Sequence, residues 1–391
     1  MKHLRVRTRA RDITEEHRVS SPLELLFDLT FVVAVGSLVA QLAHQVAEGH
    51  AAEVIGPFLM VFFAIWWAWN QFTWLASAYD TDDALYRVFT LVQMGGVLVL
   101  AAGVPGAFTA QDFGAITLGY LVMRVGLLAM LARAMTEDPA SRSVSWRYFI
   151  GILVVQVGWL LRLWFVPAEY IVPAFLVLAA AELAVPVWAA RGVDLAWHPH
   201  HIAERYGLFA IILLGESVLV VTMAVQDALP EGVTSPLVIV AVCGLVLLFT
   251  LWWLYFSEPA ADGLEKRRDR SYVWGYGHYL IYASLAAIGA GLEVAVEAVT
   301  HHLETSDVVV SYALAIPLAV FLLLLWLLHA PLVDRVSIPP SATVVAVALV
   351  LLVPLAADAV GVLATTIALT VVSVGLLAWS LLVARPAATE D

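Results

Sequence analysis

Charge and cysteine are both scarce in this sequence, and each scarcity removes a class of protein. Only 13% of residues are charged and 62% are hydrophobic, against roughly 25% and 45–50% in soluble domains. A water-soluble core cannot hide that much apolar surface, so lipid has to be the solvent. The single cysteine, Cys243, lies in an apolar run. It excludes an intrachain disulfide and cysteine-pair chemistry, and reads as a small packing residue. Also missing are a Walker motif, a dinucleotide-binding glycine pattern, HExxH and GxSxG. That argues against ATP-driven pumping and the common hydrolase chemistries, makes an enzyme the less favoured reading, and calls for no cofactor. A net charge of −12 discourages nucleic acid as a partner.

What is present is a series of apolar blocks, each long enough for a hydrocarbon core of ~30 Å, which takes about 20 helical residues. They fall at 22–46, 54–78, 86–106, 112–134, 146–166, 170–190, 203–227, 234–257, 272–298, 307–329, 340–358 and 360–384. Continuous rather than alternating hydrophobicity selects helices over barrel strands. The last two blocks form one apolar stretch that has to turn back near Asp358 to Gly361. The expected fold is all-α and polytopic, with about twelve transmembrane helices.

Basic residues sort onto one side of that division. The N-terminal arm (Lys2, Arg5, Arg7, Arg9, Arg11, Arg18), Arg87, Arg133, Arg142, Arg147, Arg191, Arg205, the Lys266 to Arg270 segment, Arg335 and Arg385 share it. The opposite loops carry Glu48, Glu53, Asp112, Glu169, Asp227, Glu231, Glu304 and Asp307. By the positive-inside rule both termini are cytoplasmic. Only Arg124 and Arg162 are left inside helices. The start, MKHLRVRTRARDITEEHR, is too basic and polar for a cleavable signal peptide. Residues 1–21 read as a cytoplasmic basic arm near lipid head groups.

An internal duplication is visible at an ungapped offset of 186 (252 − 66). IWWAWN at 65–70 aligns with LWWLYF at 251–256, Asp83 with Asp269, Tyr86 with Tyr272, and Gly103 with Gly289. The pattern predicts two parallel six-helix repeats, 22–195 and 196–391, joined through RGVDLAWHPHH at 191–201.

A charge at bilayer depth costs roughly 2.5–3.5 kcal/mol on insertion scales, so each needs a partner, water or a task. Glu24 and Asp28, at i and i+4, project from one helix face behind Pro22, with Ser20 or Ser21 as cap. Their repulsion is relieved by protonation, by a cation or by an arginine, and Glu24 also suits the positive helix N-terminus. Glu216, flanked by Gly215 and Ser217 near the bilayer midplane, is the leading functional carboxylate. Arg124 faces a choice of partner among Glu216, Glu182 and Asp28. His278 can carry protons near neutral pH or serve as a packing histidine. Glu293, Glu297 and His301 form an outer stripe. His198, His200, His201 and Glu204 lack the spaced second ligand pair of a zinc site, so no metal is expected. GAITLG and GAGLE read as close helix packing.

SPLELLFDLTFVVAV (21–35), HHIAERYGLFAIILLGESVLVV (200–221) and YLVMRVGLLAMLARA (120–134) together resemble the bacterial low temperature requirement protein A family. The resemblance implies a multispanning protein of the bacterial cytoplasmic membrane; separately, the scarcity of lysine and the richness in Ala, Val and Leu suggest a GC-rich bacterial genome. It carries Glu24, Phe27, Asp28, Arg124, His201, Glu204, Arg205, Gly215 and Glu216 onto this chain as motif positions. A likeness to two-repeat potassium channels rests on Phe27-Asp28 alone. The serine of their R…FSD motif is missing, Arg18 lies too far upstream, and the second half has Phe209-Ala210 with no acid.

Three readings follow. One is a proton- or cation-coupled secondary transporter of a small solute using Asp28, Glu216, Arg124, Glu24, Glu182 and His278. Another is an intramembrane enzyme or lipid- or small-molecule-binding protein built on His201, Glu204, Asp28 and His278. The third is a membrane-embedded scaffold or small-molecule sensor, with a cation channel as a further alternative. Membrane lipid is the partner common to all, with a small molecule or ion as substrate. The oligomeric state is open, a homodimer among its options.

Overall fold

A computed structural model describes residues 5–11, 19–79, 81–193, 196–257, 260–301, 303–332 and 338–383. Lys2, Arg18, Arg335, Arg385 and part of the 191–201 join lie outside the described residues. All regular structure among the described residues is helical: α1 (Pro22–Ala47), α2 (Ala51–Ala78), α3 (Ala84–Thr109), α4 (Gly114–Glu137), α5 (Arg142–Phe165), α6 (Ile171–Ala189), α7 (Pro199–Ala228), α8 (Ser235–Phe256), α9 (Ala260–Lys266), α10 (Ser271–Thr300), α11 (Asp307–His329), α12 (Pro340–Leu352) and α13 (Ala357–Val383). Eleven helical stretches among them are long and apolar enough to cross a bilayer.

Local chemistry explains where these helices begin. Ser21 and Glu24 form a capping box: the Glu24 amide donates to Ser21 Oγ at 3.3 Å, and the Ser21 amide donates to Glu24 Oε2 at 2.7 Å. Asp83 caps α3, accepting from the Tyr86 amide, while Thr234 and Ser306 cap α8 and α11.

The polarity of the helix faces is inverted relative to a water-soluble bundle. On α5, Val154, Val157, Leu161 and Trp164 recur at helical spacing on the exposed face, whereas Gln156 and Arg162 are buried. On α13, Thr366, Thr370 and Ser373 point inward, and Val371, Trp379 and Leu382 outward. Only an apolar solvent rewards that arrangement.

By packing, the chain divides into two units, residues 1–38 with 56–205 and residues 39–55 with 206–391. In the first, α3 packs most extensively on α4, which leads on to α5 and α6. The α3–α4 contact is close because a side chain at Gly119 would run into the backbone of Leu100 and Gly96. In the second, α10 packs on α11, and α13 on α8.

The segment 340–383 is 44 residues long. As one straight helix it would reach about 66 Å, twice the hydrocarbon thickness. It is broken at Gly361, whose φ of 82° and ψ of 164° are open to glycine and strained for other residues. Both limbs touch the start of α11: Tyr312 donates to the Leu351 carbonyl at 3.2 Å, and Ser311 Oγ lies 2.8 Å from Thr365 Oγ1.

Candidate functional site

The first unit holds two buried charge clusters, and the larger joins the two sequence motifs. The i, i+4 spacing sets Glu24 and Asp28 on one face of α1, and the same spacing sets His201 and Arg205 on one face of α7. These faces meet. Arg205 grips Asp28 with a fork, Nε to Oδ2 at 2.8 Å and Nη2 to Oδ1 at 2.6 Å, and its Nη1 donates to Glu24 Oε1 at 3.0 Å. His201 Nε2 lies 3.0 Å from the same Glu24 oxygen. Trp69 Nε1 donates to Asp28 Oδ1 at 2.7 Å. All four ionisable side chains are buried.

The surrounding motif residues set the frame. Phe27 packs on Phe72 with ring centroids 3.9 Å apart, and the Arg205 guanidinium sits 5.8 Å from the Phe72 ring. Glu204 reaches back to the chain entering α1, accepting from the Ser20 amide at 3.1 Å. A planar guanidinium offers five donors in a fixed fork, so it can hold two carboxylates that would otherwise repel each other.

The second cluster settles the partner of Arg124 within this unit: it is Glu182. Arg124 Nη2 donates to both carboxylate oxygens at 2.9 Å. Glu182 also accepts from Trp67 Nε1 at 2.9 Å, Trp159 Nε1 at 3.1 Å, Tyr120 Oη at 3.2 Å and Gln71 Nε2 at 3.3 Å. Tyr120 in turn accepts from Arg124. Glu182 is fully buried. Within this unit Arg124 therefore does not pair with Asp28, whose arginine is Arg205.

None of the three tryptophans of these clusters, Trp67, Trp69 and Trp159, is read as a site residue from sequence; IWWAWN stands out there only as a repeat marker. A buried indole N–H needs an acceptor, and Trp67 and Trp69 answer to different carboxylates, Glu182 and Asp28. The environments of the duplicated tryptophans also differ, for Trp66 and Trp67 are buried whereas Trp252 and Trp253 are exposed.

A third charged junction fastens the chain start to helix ends. The Val6 amide donates to Asp83 at 2.7 Å, the Thr8 amide to Glu137 at 2.7 Å, and Arg5 pairs with Glu137 at 2.8 Å. Arg133 bridges both acids, 2.5 Å from Asp83 and 3.1 Å from Glu137, and also donates to the Val6 carbonyl. Burial pushes the Asp83 carboxyl upward, but hydrogen bonds from Arg133, Val6 and Tyr86 and the Arg133 charge outweigh it and hold the pKa at about 2, below the ordinary 3.8. A depressed folded-state value means the ionised form stabilises the fold at pH above the ordinary value, and that contribution disappears as pH falls through about 2. In acid titrations from pH 4 to pH 2, the wild-type thermal midpoint is expected to fall more steeply than that of Asp83→Asn. Identical slopes would remove Asp83 from the account.

In the second unit, Glu216 is 6% exposed, and its Oε2 accepts no hydrogen bond among the described residues. Gly215 beside it has open space where a side chain would stand. Ser217, on the following position, fills the room left by Gly289 of α10. His278 is buried with Nδ1 2.7 Å from the Trp274 carbonyl, inside a ring of Tyr206, Trp274, Tyr282 and Tyr255. His329, read from sequence only as part of an apolar helix end, lies 6.2 Å from it between ring centroids, with its own Nδ1 2.9 Å from the Leu325 carbonyl. Among the described residues no three His, Cys, Asp or Glu side chains gather as a metal site would require. Cys243 packs beside Thr370, which donates to its carbonyl.

Long apolar helices that turn charged side chains inward and gather several of them into buried ion pairs define a multi-pass membrane protein. Residues 19–381 match the family of bacterial low temperature requirement A proteins (LtrA), and the chain belongs to that family. It is also 29% identical, over 301 residues, to an uncharacterized protein of Rhizobium meliloti (strain 1021), a match covering 71% of this chain and 69% of that one. No solved structure matches.

Proposed function

We propose that this protein is a proton- or cation-coupled secondary transporter of a small solute in the bacterial cytoplasmic membrane. The observation that carries the reading is that His201 and Arg205 address the same Glu24 oxygen, each at 3.0 Å. Imidazole is the side chain that takes up protons near neutral pH. A proton arriving on His201 strengthens its hold on Glu24 and competes with Arg205 for that oxygen. Protonation is thereby linked to the pairing that ties α1 to α7. Glu216, in the second unit, supplies a further buried carboxylate able to take a proton.

The same reading has twelve crossings in two parallel six-helix halves, 22–195 and 196–391, with both ends in the cytoplasm. The break at Gly361 supports two crossings within 340–383. The one-sided distribution of arginine supports the orientation.

The test is flux. Protein reconstituted in liposomes with an interior pH dye is given an imposed pH gradient and a panel of amino acids, sugars, organic acids and inorganic cations. Proton movement linked to at least one solute is expected, and His201→Gln should reduce it about tenfold or more, within the range of ordinary coupling energies. A wild-type protein that moves neither protons nor cations with any member of the panel would falsify the proposal.

A further inference from the structure

Arg162 is left out of both clusters in its unit. It lies in the last turn of α5, is 6% exposed, and no hydrogen bond reaches its Nε or Nη2 among the described residues. Its guanidinium sits among aromatic rings, 5.1 Å from Phe113, 5.8 Å from Trp159 and 6.0 Å from Phe175. Cation–π contact and the negative end of the helix dipole offset part of the cost of burying this charge. They do not supply acceptors for its N–H groups, and an unsatisfied buried charge is expensive.

Beside Arg162 runs an open groove of about 380 Å³ between α5 and α6, walled by Leu161, Phe165, Pro173, Val177 and Leu178. That volume falls within the roughly 300–1,000 Å³ of small-molecule sites. Gly158 contributes no side chain to the floor, so Leu178 comes close to its backbone. Apart from Arg162, the residues lining the groove are apolar. Leu161, Phe165 and Val177 continue outward into the exposed apolar face.

We infer that this groove binds one acyl chain of an anionic phospholipid, with the lipid phosphate accepting hydrogen bonds from Arg162. Charge complementarity selects the head group, because the single polar group lining the groove is a cation whose donors lack acceptors. The apolar wall selects the tail. Depth agrees: Arg162 stands three residues before the end of α5, about 5 Å along the axis, where a spanning helix approaches the head-group region. A soluble anion would satisfy the arginine and leave the groove unfilled, and a zwitterionic phospholipid would bring beside its phosphate a head-group cation that opposes the Arg162 charge.

The experiment places the full chain in nanodiscs of equal phosphatidylglycerol and phosphatidylcholine and counts bound lipid by native mass spectrometry. Wild type is expected to keep one phosphatidylglycerol per chain in preference to phosphatidylcholine. Arg162→Gln should lower that occupancy about tenfold, and Arg162→Lys should retain part of it. Val177→Trp, a change at an exposed position that fills the groove, should lower it with Arg162 intact, so a folding defect at the arginine does not decide the outcome. Equal retention of the two lipids by wild type overturns the proposal. So does phosphatidylglycerol retention unchanged in both Arg162→Gln and Val177→Trp.

Discussion

Arg205→Met is expected to lower the unfolding free energy in detergent by about 3–5 kcal/mol, the usual consequence of removing one partner from a buried ion pair. The cost comes from what is left behind. Without the guanidinium, Asp28 keeps the Trp69 indole as its remaining partner among the described residues, and two carboxylates at i, i+4 face each other with their shared cation gone. Arg205→Lys should recover little, because a point charge cannot reproduce a fork spanning both oxygens of Asp28 and one of Glu24. The double variant Arg205→Met with Asp28→Asn removes a charge from each side and should regain more than half of the loss. A double-mutant cycle in denaturant titrations measures this. If Arg205→Met costs less than about 1 kcal/mol, within the range of solvent-exposed pairs, the network is not the buried element described above.

Much of the fold is legible in the hydropathy pattern, and the reason is the solvent. Apolar blocks must match the hydrocarbon thickness, so the expected span 307–329 coincides with α11, and 22–46 differs from α1 by one residue. Where the ends shift, capping and flanking polar chemistry is responsible: α7 starts at Pro199 rather than 203, so the HHIAER motif sits within the helix and its residues acquire helical spacing. A turn is expected near Asp358 to Gly361, and the helical break in the 44-residue stretch falls at Gly361.

The pairing of charges was only half visible. Spacing puts Glu24 with Asp28, and His201 with Arg205, on common faces, but which face of one helix meets which face of another depends on rotation about each axis. Helices apolar all round carry little information about that rotation. The Arg124 partner illustrates the gap: Glu182 and Glu216 were both available, and the geometry of α4 and α6 decides for Glu182. Trp67, Trp69, Tyr120 and Trp159 escaped notice as site residues because an aromatic in a spanning segment reads as packing. The signal that could have exposed them is the hydrogen-bond donor each must satisfy away from water.

The Glu182 cluster makes the second large prediction, an asymmetry between two halves of one ion pair. Five side chains donate to this carboxylate, and four of them, from Trp67, Gln71, Tyr120 and Trp159, are neutral. Arg124→Met therefore leaves a charge that is still hydrogen-bonded on both oxygens, and should cost about 2 kcal/mol. Glu182→Gln removes the only anion paired with Arg124 among the described residues. It also turns an amide NH2 toward indole and hydroxyl groups that need acceptors. Although the side chains are isosteric, about 4 kcal/mol should be lost, with Glu182→Leu at least as damaging. The order is what matters: Glu182→Gln worse than Arg124→Met in the same detergent, by thermal or denaturant unfolding. The reverse order would make the arginine, rather than the carboxylate, the group on which these four helices converge.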